Sequence, residues 1–187
     1  MPFSSSRKPR QPLDEAALYE YAVRALGRKM RTVAELKRLL RTRVEQDDNG
    51  EAKMAAVIAR LKEQHYLNDT TYASVYTRLR QENEKFGKRR VQQDLMQRGV
   101  HSEIIAKTLD TAYEGLPEET QIRRFLERKR IRQPQDDKQA ARVLRMLVRA
   151  GFSMGTIFPL LKAWRIDDAS LETLSEALSE TDLDSGE

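Results

Sequence analysis

The chain has 187 residues, of which 34% are charged, 39% hydrophobic and only 6% aromatic, with eight Gly, six Pro and no Cys. Such a composition favours helices over a turn-rich β protein, and the missing cysteine excludes disulfides and thiolate chemistry. Net charge is +5, but the last 21 residues hold eight acids and no Lys or Arg, which leaves +13 on the first 166.

Residues 1–13 open with "MPFSSSRKPRQP", a basic arm without the apolar stretch of a secretory signal; it is expected to be disordered. Pro12 and Asp14 open a first helix with Leu18, Ala22, Ala25 and Leu26 on one face. Thr32 and Glu35 form a capping box for a second, whose buried face carries Leu36 and Leu40. "EQDDNG", Glu45 to Gly50, reads as a loop. A third helix carries Met54, Val57, Ile58 and Leu61 and ends near "HYLND".

The pattern then restarts. Tyr72, Val75, Tyr76 and Leu79 mark one helix, and "KFGKRRVQQDLMQRGV", Lys85 to Val100, reads as a second with Val91 and Leu95 inside. Its start places Lys85, Lys88, Arg89 and Arg90 where the helix dipole disfavours cations. Gly99 ends it in a left-handed cap. Ser102 caps a third helix with Ile105, Leu109 and Ala112. Pro117, Glu118 and Glu119 begin a helix carrying Ile122, Phe125 and Leu126. Asp136 or Asp137 begins the next, with Val143 and Leu147 inside and Gly151 at its end. The last carries Ile157, Leu160, Leu161 and Trp164; Thr156 as N-cap would put Pro159 harmlessly in the first turn.

Val91, Leu95, Gly99, Val100, Ile105, Leu109 and Ala112 recur 52 residues later as Val143, Leu147, Gly151, Phe152, Ile157, Leu161 and Trp164. The expected fold is therefore all-α, an elongated tandem array of three three-helix repeats. Their expected bounds are 14–68, 69–115 and 116–166, followed by an acidic tail at 167–187. Leu171, Leu174 and Leu178 give that tail an amphipathic pattern. A solvated tail is the simpler reading, and a fold-back onto the basic surface is the sharper one.

No enzyme motif survives inspection. His65 and His101 lack metal-ligand spacing, "DDNG" lacks the closing ligand of a calcium loop, and Gly87–Lys88 lacks the first glycine of a phosphate loop. No catalytic, cofactor-binding or metal residue is assigned. Basic clusters do stand out: Lys37, Arg38, Arg41 and Arg43; Lys85, Lys88, Arg89 and Arg90; Arg123, Arg124, Arg128 and Arg130 with Lys129 and Arg132; and Arg142, Arg145 and Arg149. A basic body suits a polyanionic partner, while ordinary solvent exposure is the plain alternative for any one Arg. Reversing Lys88, Arg89 and Arg90 to Glu is expected to weaken partner regulation and leave melting nearly unchanged. Tyr66 and Leu67 are read as packing at a repeat junction, and Trp164 as core.

Four words carry a family resemblance: "VAELKRLL", "HYLND" with "YASVYTRLR", "KFGKRRVQQDLMQRGV" and "VLRMLVRAGFSMGTI". With the motif positions Tyr66, Leu67, Asp69, Gly99 and Gly151, they make the chain resemble the RecX family, bacterial regulators of the RecA recombinase. The resemblance spans roughly Leu18 to Ile166. It implies a cytoplasmic monomer, without a cofactor or a membrane partner. Such a protein lies in the groove of the RecA–DNA filament and inhibits ATP hydrolysis, strand exchange and filament growth. Single- or double-stranded DNA is a further partner. Two other readings stay open on the residues alone: a sequence-independent DNA-binding helical module, and a helical adaptor for an acidic protein.

Overall fold

The computed structural model describes residues 11–164, so the first ten residues of the basic arm and the whole acidic tail lie outside the described residues. Among the described residues the chain is all-helical: nine α-helices and one π-helical turn. They follow in chain order as α1 (Glu15–Arg28), α2 (Val33–Arg41), α3 (Asp48–Glu63), α4 (Asp69–Leu79), the π turn (Arg80–Glu84), α5 (Lys88–Gln97), α6 (Ser102–Tyr113), α7 (Glu118–Arg128), α8 (Asp137–Arg149) and α9 (Met154–Ala163). The described residues fall into two compact units. One holds those up to Ala73 together with Met96–Ile104; the other holds Ser74–Leu95 together with those from Ile105 onward.

In the first unit α1, α2 and α3 pack around Leu18, Ala22, Leu36, Leu40, Met54, Val57 and Leu61, all essentially inaccessible to solvent. Asp14 caps α1 by accepting the Ala17 N–H at 2.8 Å. The Thr32–Glu35 box closes as the spacing predicts, and Thr32 Oγ1 also donates to the Arg98 carbonyl at 2.7 Å. Asp69 Oδ1 accepts the Val33 N–H at 2.9 Å, so the start of α4 satisfies a donor at the start of α2. Arg98 and Glu35 pair at 2.7 Å beside it.

"DDNG" is not the loop expected. Asp47 accepts the Gly50 N–H at 2.8 Å and starts α3 at Asp48, because an aspartate cap outweighs the poor helix propensity of Asn49 and Gly50. Gly50 is required there, since a Cβ would come within 1.9 Å of the Glu45 carbonyl oxygen. Tyr66 and Leu67 part company: Leu67 is buried in this core, whereas Tyr66 is 59% exposed and does not pack. His65, at φ 61°, turns the chain between α3 and Leu67.

In the second unit the core gathers Ile122, Phe125, Leu126, Val143, Leu144, Leu147, Phe152, Ile157, Leu160 and Leu161, with Trp164 partly buried against it. Asp136 caps α8 through the Gln139 N–H at 2.7 Å. Helix α9 begins earlier than expected, with Ser153 and not Thr156 at its N-cap, so Pro159 sits in the helix interior. The proline leaves the Gly155 carbonyl without its helical donor. Gly155 is exposed, so water can supply one. The α9 start is held by Glu118 of α7. Its carboxylate accepts from the Ser153 N–H at 2.9 Å, from the Ser153 hydroxyl and from the Thr156 hydroxyl at 2.5 Å. An acid at a helix N-terminus matches the dipole.

Ahead of α5 the chain also departs from expectation. Leu79 is 46% exposed, while Ala73 and Thr77 of α4 are buried. The π turn shifts the phase after Leu79, and Lys85 adopts φ 57° as its left-handed cap. Helix α5 therefore starts at Lys88, and Lys85 lies outside it. The first turn of α5 meets the end of α8 backbone to backbone: the Gly87 N–H donates to the Ala150 carbonyl at 2.8 Å.

Candidate functional site

The cations at the start of α5 have local partners. Lys88 Nζ pairs with Asp110 at 2.7 Å, and Arg90 Nε with Asp94 at 3.2 Å, one helical turn on. Asp94 is buried, accepts the Tyr76 hydroxyl at 2.9 Å and lies 3.7 Å from Arg80 Nε. Arg89 is exposed and has no carboxylate within 4.0 Å among the described residues. Its charge still helps to ionise Glu118. Burial pushes the Glu118 carboxyl up, but its bonds to Ser153 and Thr156, with Arg89, outweigh that and hold it below the ordinary value. The dipole mismatch at this helix start is thus balanced by Asp94 one turn on and by Asp110 and Glu118, distant in sequence.

Several of the other basic residues are tied too. Lys37 and Arg41 converge on Glu51 at 3.5 and 3.0 Å. Arg43 lies just beyond α2, not on it, and stacks on Tyr21 with its guanidinium 4.6 Å from the ring centre. Arg123 pairs with Glu119 at 2.7 Å, and Arg128 reaches Glu84 at 3.9 Å. Lys85 and Arg124 line a small cavity of about 160 Å³ with Gln81, Glu82, Leu116 and Gln121. Arg38 and Arg130 are exposed, the latter with φ 54°.

One group differs. On α8, Ala140, Val143, Leu144 and Leu147 turn inward, which leaves Arg142, Arg145 and Arg149 outward at spacings of three and four. With Lys129, just past the end of α7, they line a groove of about 460 Å³ whose remaining walls are Phe86, Phe125, Met146 and Ala150. None of these four cations has a carboxylate within 4.0 Å among the described residues, and no acid lines the groove. Phe86 reaches it because Lys85 turns the chain, and its carbonyl is held by the Tyr113 hydroxyl at 2.8 Å. Burial pushes that tyrosine's pKa far up, so its hydroxyl stays a donor. Closely spaced like charges over an apolar floor repel one another, and an anion placed among them relieves that repulsion.

The spacing of Arg142, Arg145 and Arg149 was legible in the sequence. The part of Phe86 and Met146, and the distinction of Lys129 from its basic neighbours, were not, because they arise from packing between α7, α8 and the segment before α5. The anchoring roles of Asp69, Asp94 and Glu118 were also hidden, since each acts on residues at least a turn away. Among the described residues no group of His, Asp and Glu has the arrangement of a metal site, and no helix is long and apolar enough to cross a membrane.

The comparisons with known proteins agree with this architecture. Residues 68–109 match the family model described as RecX, second three-helix domain. A regulatory protein RecX from Thermus thermophilus is 33% identical over 148 residues, covering 78% of this chain and 89% of that one. One from Mycolicibacterium vanbaalenii is 32% identical over 148 residues, covering 75% and 78%. The crystal structure of RecX from Lactobacillus salivarius superposes with a TM-score of 0.62 at 19% identity, over 81% of this chain and 97% of that one, which shows the shared helical-repeat fold. The chain belongs to the RecX family of regulatory proteins.

Proposed function

We propose that this chain is a non-enzymatic, cytoplasmic regulator of the RecA recombinase that acts as an inhibitor. It binds in the groove of the RecA–DNA filament and limits ATP hydrolysis, strand exchange and filament growth. The observation that carries the reading is the groove along which Lys129, Arg142, Arg145 and Arg149 gather over an apolar floor with no carboxylate partner among the described residues, in a chain of the RecX family. Protein interiors and surfaces normally balance neighbouring charges. Several cations clustered along one groove with no acid among its lining residues make a surface suited to a polyanion, here the filament's acidic groups or its phosphates. Lys37, Arg38, Arg41, Lys88, Arg89, Arg123 and Arg124 are secondary contacts in this reading, each exposed but many held by a carboxylate that the partner must displace.

The test is ATP hydrolysis by the cognate RecA on saturating single-stranded DNA as this protein is titrated in. Inhibition at a small fraction of the RecA concentration is expected, because one molecule bound along a filament affects many subunits. Inhibition only at concentrations that coat the DNA would indicate a DNA-binding module instead. No inhibition would leave a helical adaptor for an acidic protein.

A further inference from the structure

The floor of the α7–α8 groove discriminates among polyanions. We infer that the groove takes a protein segment, an acidic peptide with an aliphatic side chain that seats on Phe86 and Met146 while its carboxylates reach Lys129, Arg142, Arg145 and Arg149. This inference rests on reading the groove as the polyanion-binding surface, and it names the class of partner.

Charge and apolar surface run side by side along α8. At about 100° per residue, Arg142, Arg145 and Arg149 fall within about 60° of one another, and Met146 lies about 40° to the other side of Arg142. Lys129 stands at the opposite wall, its Nζ 5.9 Å from the centre of the Phe125 ring. Phe86 and Met146 are partly buried against the core of this unit, so each keeps part of its surface at the groove. Protein interfaces favour Arg, Met and aromatic residues, and the unbranched thioether adapts to more than one side chain. Arg142 to Arg149 spans about 10 Å at 1.5 Å per residue, a length that takes several anionic groups in succession and not one small anion.

A single nucleic-acid strand supplies the charge but covers the floor poorly. Such strands bind by stacking successive bases on exposed rings. Phe125 is only 2% exposed and meets Phe152 edge-on, with ring centres 5.7 Å apart. Of the two lining rings only Phe86 keeps exposed surface, and the Arg80 and Arg90 guanidinium groups each lie over it, 5.9 Å from its centre. Met146 and Ala150 offer a base no ring. A duplex backbone presents phosphates and sugars and leaves the floor uncovered. The groove is also built before a partner arrives. The Tyr113 hydroxyl holds the Phe86 carbonyl at 2.8 Å and the Ala150 carbonyl holds the Gly87 N–H at 2.8 Å, so little ordering cost offsets the contacts of a peptide.

The test uses two short fluorescein-labelled peptides of equal charge, one of repeating Asp-Leu-Glu and one of repeating Asp-Ser-Glu. Their binding to the full chain is read by fluorescence anisotropy at low salt. The leucine peptide is expected to bind on the order of 10-fold more tightly than the serine peptide. Met146→Gln, which keeps the length of the side chain, should remove most of that difference, and Met146→Leu should restore it. Changing Arg142, Arg145 and Arg149 to Ser should abolish binding of both peptides. Equal affinity for the two would overturn the inference. So would an oligothymidylate of the same charge that displaces the leucine peptide more readily than its own unlabelled form does. Sedimentation that shows dimers, lost in the arginine variant, would make the occupant a second copy and overturn it too. The functional reading fails separately. Leucine-dependent binding by a protein whose arginine variant still inhibits RecA normally would keep the peptide site and sink that reading. Equal binding of both peptides, with inhibition lost in the arginine variant, would do the reverse.

Discussion

Asp69 shows what a single side chain does that the motif around it does not announce. It is partly buried and accepts the Val33 N–H at 2.9 Å. Burial pushes its pKa up, against the opposing effects of that hydrogen bond and of Lys62. Changing Asp69 to Ala removes the acceptor and should cost about 1–3 kcal/mol, the penalty of an orphaned backbone donor. Asn keeps the acceptor oxygen and should cost less. The pH dependence follows from the sign of the shift. A carboxyl raised in the folded state holds its proton longer there than in the unfolded chain, so its contribution falls as pH rises through the folded value. Urea denaturation at pH values of about 4 and about 7 should therefore show the Asn variant gaining on the parent at the higher pH. An equal gap at both would remove the burial argument. The word Tyr66-Leu67-x-Asp69 was visible in the sequence, but its division of labour was not. It follows the end of α3, where helical periodicity stops informing which side chain is inside, and the positive φ of His65 sets that instead.

At the scale of elements, the phases of the described α-helices other than α4 were readable because buried residues recur three and four apart; in α4 Ala73 and Thr77 are buried and Leu79 is exposed. Val91 with Leu95, and Val143 with Leu147, are buried as the repeat requires. The exceptions share a cause. The π turn, the early starts of α3 and α9 and the late start of α5 are decided by who satisfies a helix end, and those partners lie elsewhere in the chain. Gly151 is the sharpest instance. It has φ 88°, and a Cβ there would stand 2.2 Å from the Arg90 backbone nitrogen. The repeat marked it as a helix-ending glycine, but not as the point where α5 touches α8. Gly151→Ala should cost both the left-handed strain and the clash, about 2–4 kcal/mol together. Thermal melting followed by circular dichroism would read it. Gly115 has φ 67° with open space around it, so Gly115→Ala should cost only about 1 kcal/mol. Similar losses at the two sites would mean that the α5–α8 contact is not tight.

Across the whole molecule, the excess of positive charge was evident from composition, but its accounting was not. Lys88 finds Asp110 and Arg128 finds Glu84 across 22 and 44 residues of sequence, so only folding shows which cations are committed. That separates two classes of basic residue that look alike in a linear reading, and it revises the expectation that reversing Lys88, Arg89 and Arg90 would spare the melting temperature. Arg90 neutralises the buried Asp94, so Arg90→Ser should destabilise the fold by about 1 kcal/mol, a value kept small because Arg90 is partly exposed and Arg80 remains nearby. Changing Arg142, Arg145 and Arg149 to Ser breaks no ion pair among the described residues and relieves mutual repulsion. Its melting temperature should stay level or rise, most visibly at low salt where screening is weakest. Inhibition of RecA ATP hydrolysis should move the other way, falling strongly in the triple variant and little in Arg90→Ser once both are compared as folded protein. Loss of stability in the triple variant would mean that these arginines are held by partners and serve the fold. Undiminished inhibition by a stable triple variant would move the binding surface elsewhere, with Arg38, Arg89 and Arg124, which also make no ion pair among the described residues, as the next to change.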